Sequence, residues 1–509
     1  MQAQRRTSAP PALDGEARFE LWRRRLGFVL APVAFAVAWF ASADMPQPAH
    51  RLAAVLAAVV VLWVSEAIPM AMTAFLGVAA AVALGVAPAQ AAFAPFADPL
   101  IFLFIGTFIL ARAIFFHGLD RRFAYAILGM RGVGERPARV LVAYAAASCL
   151  LSMWISNTAT TAMMFPIGIA LLRSLDSLRD TRTAGAFASA LLLSNALAAS
   201  IGGVATPVGT PPNLIGIGFL RREMGVDVAF FSWIALGVPV VVLTFAAMIA
   251  RLLWSSSERQ VHLAGVAQTI AEQRRALGPW TRGQVNTVIA FAVAVVLWIT
   301  PGVMALVLGQ DHPAYRAYTG ALPEGVVALF AAGLLFVLPT NLRRLEFTLD
   351  WREAVQIDWW IVFLYGGGIA LGTLAFTTGL AERLGFALTS LVGVESELGL
   401  IALSALIAAA LSETTSNTAS VNMIVPVVIA FARSSGIDPL LPALAATMAA
   451  SLGFMLPVST PCNAIVYASG RIPLTTMMRH GIWLDLAGVI VVTLVVGGLG
   501  PLLRGLLGG

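Results

Sequence analysis

The chain has 509 residues, of which 59% are hydrophobic and 11% charged, against about 25% charged in a soluble domain. With a mean hydropathy of +0.86, this excludes a water-soluble globular protein and points to a polytopic membrane protein. The net charge is +6 and the sequence contains no lysine, which excludes a Schiff-base lysine, a P-loop and hence ATP-driven pumping by this chain.

Residues 1–25 are polar and read as a cytosolic segment, with Arg23, Arg24 and Arg25 directly before the first apolar run. That run lacks a small-residue cleavage site, so 26–43 reads as a retained first span. A membrane helix needs about 20 mostly apolar residues. The pattern predicts further spans over 51–67, 71–87 and 99–116. The stretch 137–175 is apolar with a polar knot at its middle, which predicts a re-entrant hairpin of two short helices. An interrupted span over 184–220 and a continuous one over 229–253 follow, then the long polar insert 255–282, read as a cytosolic connector. Beyond it come spans over 283–306, 322–339 and 359–378, a second hairpin over 397–434, an interrupted span over 440–469 and a last span over 480–500. The expected fold is an all-α polytopic membrane protein. It has a first span and repeat 1 within 26–254, and repeat 2 within 283–509.

Arginines are dense in 117–139, 173–183, 255–282 and 340–358 and sparse in 87–98, 307–321 and 378–397. The positive-inside rule then places the N-terminus in the cytoplasm of a plasma (inner) membrane protein and the C-terminus outside. Arg221 and Arg222 run against that pattern. The same placement makes the basic residues orientation signals and argues against a nucleic-acid partner. Cys149 and Cys462 lie in apolar or motif regions, so no disulfide framework is implied.

The two halves repeat one another. Ser156-Asn157-Thr158-Ala159, Met163 and Pro166 return as Ser416-Asn417-Thr418-Ala419, Met423 and Pro426, all 260 positions on, as does Ser152 in Ser412. Thr210-Pro211-Pro212-Asn213 returns as Thr460-Pro461-Cys462-Asn463 after 250 positions, and Ile68-Pro69 as Leu322-Pro323 after 254. Hairpins that enter from opposite faces would make this an inverted-topology repeat.

One Ser-Asn-Thr peptide in lipid is ordinarily a helix-packing device. Two copies at matching places, each with an upstream serine and a downstream proline, read instead as a site. Hydroxyls, amide carbonyls and free backbone carbonyls at helix ends suit a weakly held Na⁺, and half-helix N-termini suit an anion. Carboxylates are scarce there, which disfavours a divalent metal. Gly202, Gly203, Pro207, Gly209, Pro211 and Pro212 in the first half, and Gly453, Pro457 and Pro461 in the second, break their spans. Neither knot holds an arginine. A buried anion there needs bound cations to offset its charge, which makes ion coupling a physical expectation.

These motifs, with Ser65-Glu66-Ala67-Ile68-Pro69, resemble the divalent anion:sodium symporter family over roughly 50–500. The resemblance implies eleven spans plus two hairpins, a homodimer, and a scaffold against which an elevator-type transport domain moves. It implies one sodium site from Ser152, Ser156, Asn157 and the Gly209 backbone. A second would use Ser412, the Thr415 backbone, Asn417 and the Ser459 backbone. A small carboxylate substrate (succinate, malate or fumarate foremost, with citrate and sulfate also in the family's range) would meet Asn157, Thr158, Asn417, Thr418, Thr460 and Pro461. Cys462 stands where the family commonly has proline, a departure that bears on fine specificity.

Glu66 and Glu324 read as span-end carboxylates, while Glu413 either fixes the second hairpin or titrates; His117 and His480 read as interfacial. Competing readings are a sodium-independent dicarboxylate exchanger on the same fold and, remotely, an intramembrane enzyme. The sequence has no Gly-x-Ser-x-Gly, no His-Glu-x-x-His and no membrane-centre Asp pair to serve the latter.

Overall fold

Apolar runs long enough to cross lipid must satisfy their backbone internally, and the chain does so as helices. The computed structural model describes residues 15–41, 44–172, 181–255, 265–391, 393–394 and 396–504. Helices α1 (Gly15–Phe40) and α2 (Gln47–Ser65) pack antiparallel, close enough that a Cβ on Gly27 would lie 2.0 Å from Ser65 Oγ. Helices α3 (Met70–Ala83), the short α4 (Ala89–Phe93) and α5 (Pro99–Phe116) follow, then α6 (Leu119–Leu128). The first polar knot separates α7 (Pro137–Ser152) from α8 (Asn157–Leu172). The first interrupted span is α9 (Thr181–Gly203) and α10 (Pro211–Met224), and α11 (Phe230–Ser255) closes the half.

The connector contributes α12 (Val266–Ala276). Then come α13 (Arg282–Leu308), α14 (Pro313–Ala321) and α15 (Glu324–Val337). A two-stranded antiparallel ribbon, β1 (Pro339–Asn341) and β2 (Glu346–Phe347), precedes α16 (Trp351–Ala354), α17 (Trp359–Thr377) and α18 (Leu380–Leu391). The second knot separates α19 (Glu397–Thr414) from α20 (Asn417–Ser434). The second interrupted span is α21 (Leu440–Ala449) and α22 (Pro461–Tyr467), and α23 (Leu474–Leu503) ends the order.

The helices duplicate as the motifs do. The starts of α3 and α15 lie 254 positions apart, those of α5 and α17 260, of α8 and α20 260, of α10 and α22 250, and of α11 and α23 244. Asp98 and Asp358 precede the matched helices α5 and α17, and Pro69 and Pro323 precede α3 and α15. Of α9 from Gly185 to Gly203, 89% is buried, against 17% of the best apolar stretch of α13; α9 is the hub and α13 faces lipid.

Among the described residues, eight helices are long and apolar enough to cross a membrane, or nine if α14 and α15, bent by 56°, count as one. The expected span 71–87 is shorter: α3 begins after Pro69, and the chain turns out of helix at Gly85, φ +70. Conversely α19, expected as half a hairpin, has spanning length. The His480 side chain is buried within the protein near the start of α23, with Nε2 3.4 Å from Ser255 Oγ at the end of α11. The segment carrying Arg173 and Arg179, the Arg182 side chain, and Arg259 lie outside the described residues.

Candidate functional site

Each polar knot is a helix break built by short side chains. In the first, Ser152 Oγ donates to Asn157 Oδ1 at 2.6 Å, and Ser156 Oγ caps α8 by accepting from Ala159 N at 3.3 Å. In the second, Ser412 Oγ donates to Asn417 Oδ1 at 2.7 Å, and Ser416 Oγ accepts from Ala419 N at 3.2 Å. Ser412 Oγ also lies 2.7 Å from the Ala450 carbonyl oxygen. One hydroxyl proton cannot serve both acceptors fully, so oxygen is in surplus there. The Thr415 hydroxyl turns away to Ser420 Oγ (2.6 Å) and the Leu411 carbonyl (3.0 Å).

The two broken spans close on these knots by a shared device. Asn213 Nδ2 donates to the carbonyls of Gly203 (2.9 Å) and Thr206 (2.7 Å); Asn463 Nδ2 donates to those of Gly453 (3.0 Å) and Leu456 (2.9 Å). Each amide staples the loop that α9 or α21 leaves and α10 or α22 re-enters. Glycine permits the approach. A Cβ on Gly203 would lie 2.3 Å from Asn157 Oδ1, and one on Gly209 2.5 Å from the Gly203 carbonyl oxygen and 2.9 Å from that of Met153. Gly203→Ala therefore has to push Asn157 off Ser152. Transport in that variant should fall at least about tenfold, the loss of one such hydrogen bond to a charged ligand, with the purified protein still helical by circular dichroism.

Between the knots lies a cavity of about 830 Å³. Ser156, Asn157 and Thr158 line it from one side, Asn417 and Thr418 from the other. Ser459, Thr460 and Pro461 complete its wall. Thr158 is exposed to it, whereas Thr418 and Thr460 are buried. Ser152, Ser412 and Thr415 are also buried, and with Gly209 they stand behind the lining. All the anticipated residues thus gather at one place, in a front row and a back row.

The family model described as the sodium:sulfate symporter transmembrane region matches residues 21–506. The chain belongs to that family. This member of the sodium:sulfate symporter family is 31% identical over 489 residues to the sodium-dependent dicarboxylate transporter SdcS of Staphylococcus aureus strain USA300, covering 94% of this chain and 92% of SdcS. SdcS of strain MRSA252 matches to the same extent. In fold the chain is similar to the YdaH transporter of Alcanivorax borkumensis, with a TM-score of 0.55 and 14% identity over 96% of this chain and 99% of that one. The MtrF antimetabolite efflux pump of Neisseria gonorrhoeae gives 0.53 and 12% over 95% of each. The chain is a multi-pass membrane transporter, not an enzyme.

Within this symporter-family chain, Glu413 is a structural clamp. Its Oε1 accepts from Met455 N at 2.8 Å, and its Oε2 from Leu456 N at 3.2 Å and Ser459 Oγ at 2.6 Å. The carboxylate thereby fixes the loop 453–459. Asp485 on α23 adds an acceptor for Phe454 N at 3.2 Å. The first half does the same work without acids: Met153 occupies the position of Glu413, and its carbonyl accepts from Thr206 Oγ1, while Trp233 Nε1 donates to the Val204 carbonyl at 2.9 Å.

Three features of the site had no warning in the motifs. Arg23, from α1, lines the same cavity and pairs with Glu66 at 3.0 Å; nothing near either residue in sequence links them. Glu20, paired with Arg24, and Glu66 and Asp358 also line the cavity, whereas the knot residues that line it are uncharged. Cys462 is fully buried, and its thiol faces the hydroxyls of Thr158, Thr161 and Ser200 from the opposite half. The roles of Asn213 and Asn463 did have a signal, since both close the repeated Thr-Pro-x-Asn blocks.

Proposed function

We propose that this transporter couples Na⁺ to the uptake of a small di- or tricarboxylate, of the succinate, malate and fumarate class. The observation that carries the reading is the pair of oxygen-rich clusters, Ser152–Asn157 at 2.6 Å and Ser412–Asn417 at 2.7 Å, behind one cavity whose knots are uncharged. Neutral oxygens with free backbone carbonyls suit a monovalent cation that must leave again. Ser152, Ser156, Asn157 and the Gly209 carbonyl would hold one Na⁺. Ser412, Asn417 and the carbonyls of Thr415 and Ser459 would hold the other. The substrate's carboxylates would take Asn157, Thr158, Asn417, Thr418, Thr460 and Pro461, beside the N-termini of α8, α20, α10 and α22. Two cations next to a dianion offset a charge that lipid would not tolerate alone, so the solutes travel together. The relative SdcS, a sodium-dependent dicarboxylate transporter, supports this class of cargo.

The duplicated helix order supports an inverted-topology repeat, with alternating access by elevator-type movement of the hairpin-bearing part against a scaffold. A homodimer in the plasma membrane, with the N-terminus cytoplasmic, completes the proposal. Proteoliposomes offered labelled succinate, citrate and sulfate, with and without an inward sodium gradient, test it. Sodium-stimulated succinate uptake is the expected result. Counterflow of equal rate without sodium would replace symport by exchange, and sulfate-only uptake would overturn the carboxylate assignment. Thr158→Ala and Thr418→Ala should raise the half-saturating substrate concentration about tenfold, one hydrogen bond to a charged group, with a smaller change in that for sodium. Equal shifts in both would contradict the division of roles.

A further inference from the structure

Away from the central cavity, a hollow of about 550 Å³ opens between the end of α6, the turn that follows it and one face of α12. Local sequence builds it. Val266 and Ile270, one helical turn apart, are buried and seat α12 against α6, and Gly265 N donates to Glu135 Oε1 at 2.8 Å. Arg122 on α6 buckles the far end: Nη2 donates to the carbonyls of Leu277 and Gly278 at 2.9 and 3.0 Å, and the guanidinium lies 4.9 Å over the Trp280 ring.

Three further arginines line the hollow, Arg131 from the turn and Arg274 and Arg275 from the last turn of α12. Unlike Arg122, they make no hydrogen bond or ion pair with any described residue. Among the described residues, Glu135 accepts from Gly265 N and Glu272 from Gln268 Nε2 at 2.9 Å, and no carboxylate lines the wall. All three arginines are exposed, and an anion among them would relieve the repulsion between their like charges. The rest of the wall is apolar or glycine, with Met130 62% exposed. The hairpin helix α7 and the span α13 start within a few residues of it, at Pro137 and Arg282, so the hollow lies where apolar helices begin.

We propose that this hollow binds a phosphate anion, held by the three guanidinium forks, and that its source is the headgroup of an anionic phospholipid. Guanidinium matches phosphate oxygens bidentately, and a basic pocket at a membrane face with an apolar wall suits a headgroup and the start of its chains.

Thermal unfolding of the purified full-length protein in detergent tests this with three additions: phosphatidylglycerol, phosphatidylcholine and inorganic phosphate. Phosphatidylglycerol should stabilise the wild type and phosphatidylcholine should not. The triple variant Arg131→Gln, Arg274→Gln, Arg275→Gln should lose about 100-fold in apparent affinity, about fivefold for each arginine near the surface. The triple lysine variant, which keeps the charge but not the fork, should recover only part of that loss. Should the glutamine triple not fold, Arg275→Gln alone is expected to lose about fivefold. An undiminished response in a folded glutamine variant overturns the site. Stabilisation by millimolar inorganic phosphate that phosphatidylglycerol does not reproduce keeps the anion site and overturns the lipid as its source.

Discussion

Asn417→Ala, and separately Asn157→Ala, should lower sodium-driven uptake by about 10- to 100-fold, the range of one to two hydrogen bonds to a charged partner. The amide oxygen in each case meets a serine hydroxyl at 2.6 or 2.7 Å. With Asn417 gone, Ser412 retains the Ala450 carbonyl at 2.7 Å as an acceptor, so the helix break persists while a cation ligand is lost. The half-saturating sodium concentration should therefore rise with the fall in rate, and thermal unfolding should shift by only a few degrees. Wild-type uptake in both alanine variants would remove these residues from the cation sites.

Glu413→Ala should be the more damaging substitution, because it acts on folding and function together. Two donors, Met455 N and Leu456 N, lose their acceptor inside the protein, while Ser459 Oγ keeps only the residue 413 carbonyl at 3.1 Å; each group left unsatisfied costs about 1–3 kcal/mol. Unfolding temperature and uptake should both fall. Glu413→Gln separates the two effects. Its single carbonyl oxygen can still accept, and its amide can turn to the Asp485 carboxyl, which also meets the Glu413 side chain. Much of the fold survives, and sodium dependence weakens through the displaced Ser459 backbone. A Glu413→Gln protein with ordinary sodium affinity would show that the loop does not depend on this clamp.

The doubled Ser-Asn-Thr and Thr-Pro-x-Asn peptides were readable because they are local. A hydroxyl bonded to an amide five residues on, as in Ser152–Asn157, needs no distant partner to define the helix break. Proline and glycine likewise announce the ends of α9 and α21 without help. Span lengths were harder. Hydropathy continues past Ala83, but a left-handed glycine stops the helix. Glu413 stayed ambiguous because two of its partners are backbone amides some 40 residues away, and backbone amides carry no signature in a sequence. Arg23 escaped notice for the same reason: its pairing with Glu66 is a product of how α1 and α2 lie together. The burial of His480 comes from the packing of α23 on the end of α11, beside Ser255, which an apolar run does not announce.

Each loop between the halves of a broken span rests on bare main chain. A Cβ on Gly237 of α11 would come within 2.8 Å of the Val204 and Ala205 carbonyl oxygens, and one on Gly481 of α23 within 2.3 Å of Met455 Cα. At these two points no side chain stands between loop and helix, while Trp233 and Asp485 tie the same loops to the same helices by hydrogen bonds. A bed of that kind does not breathe residue by residue, which favours the proposed movement of loop, hairpin tip and backing helix as a unit. Enlarging either glycine should accordingly stall the vehicle and its freight together.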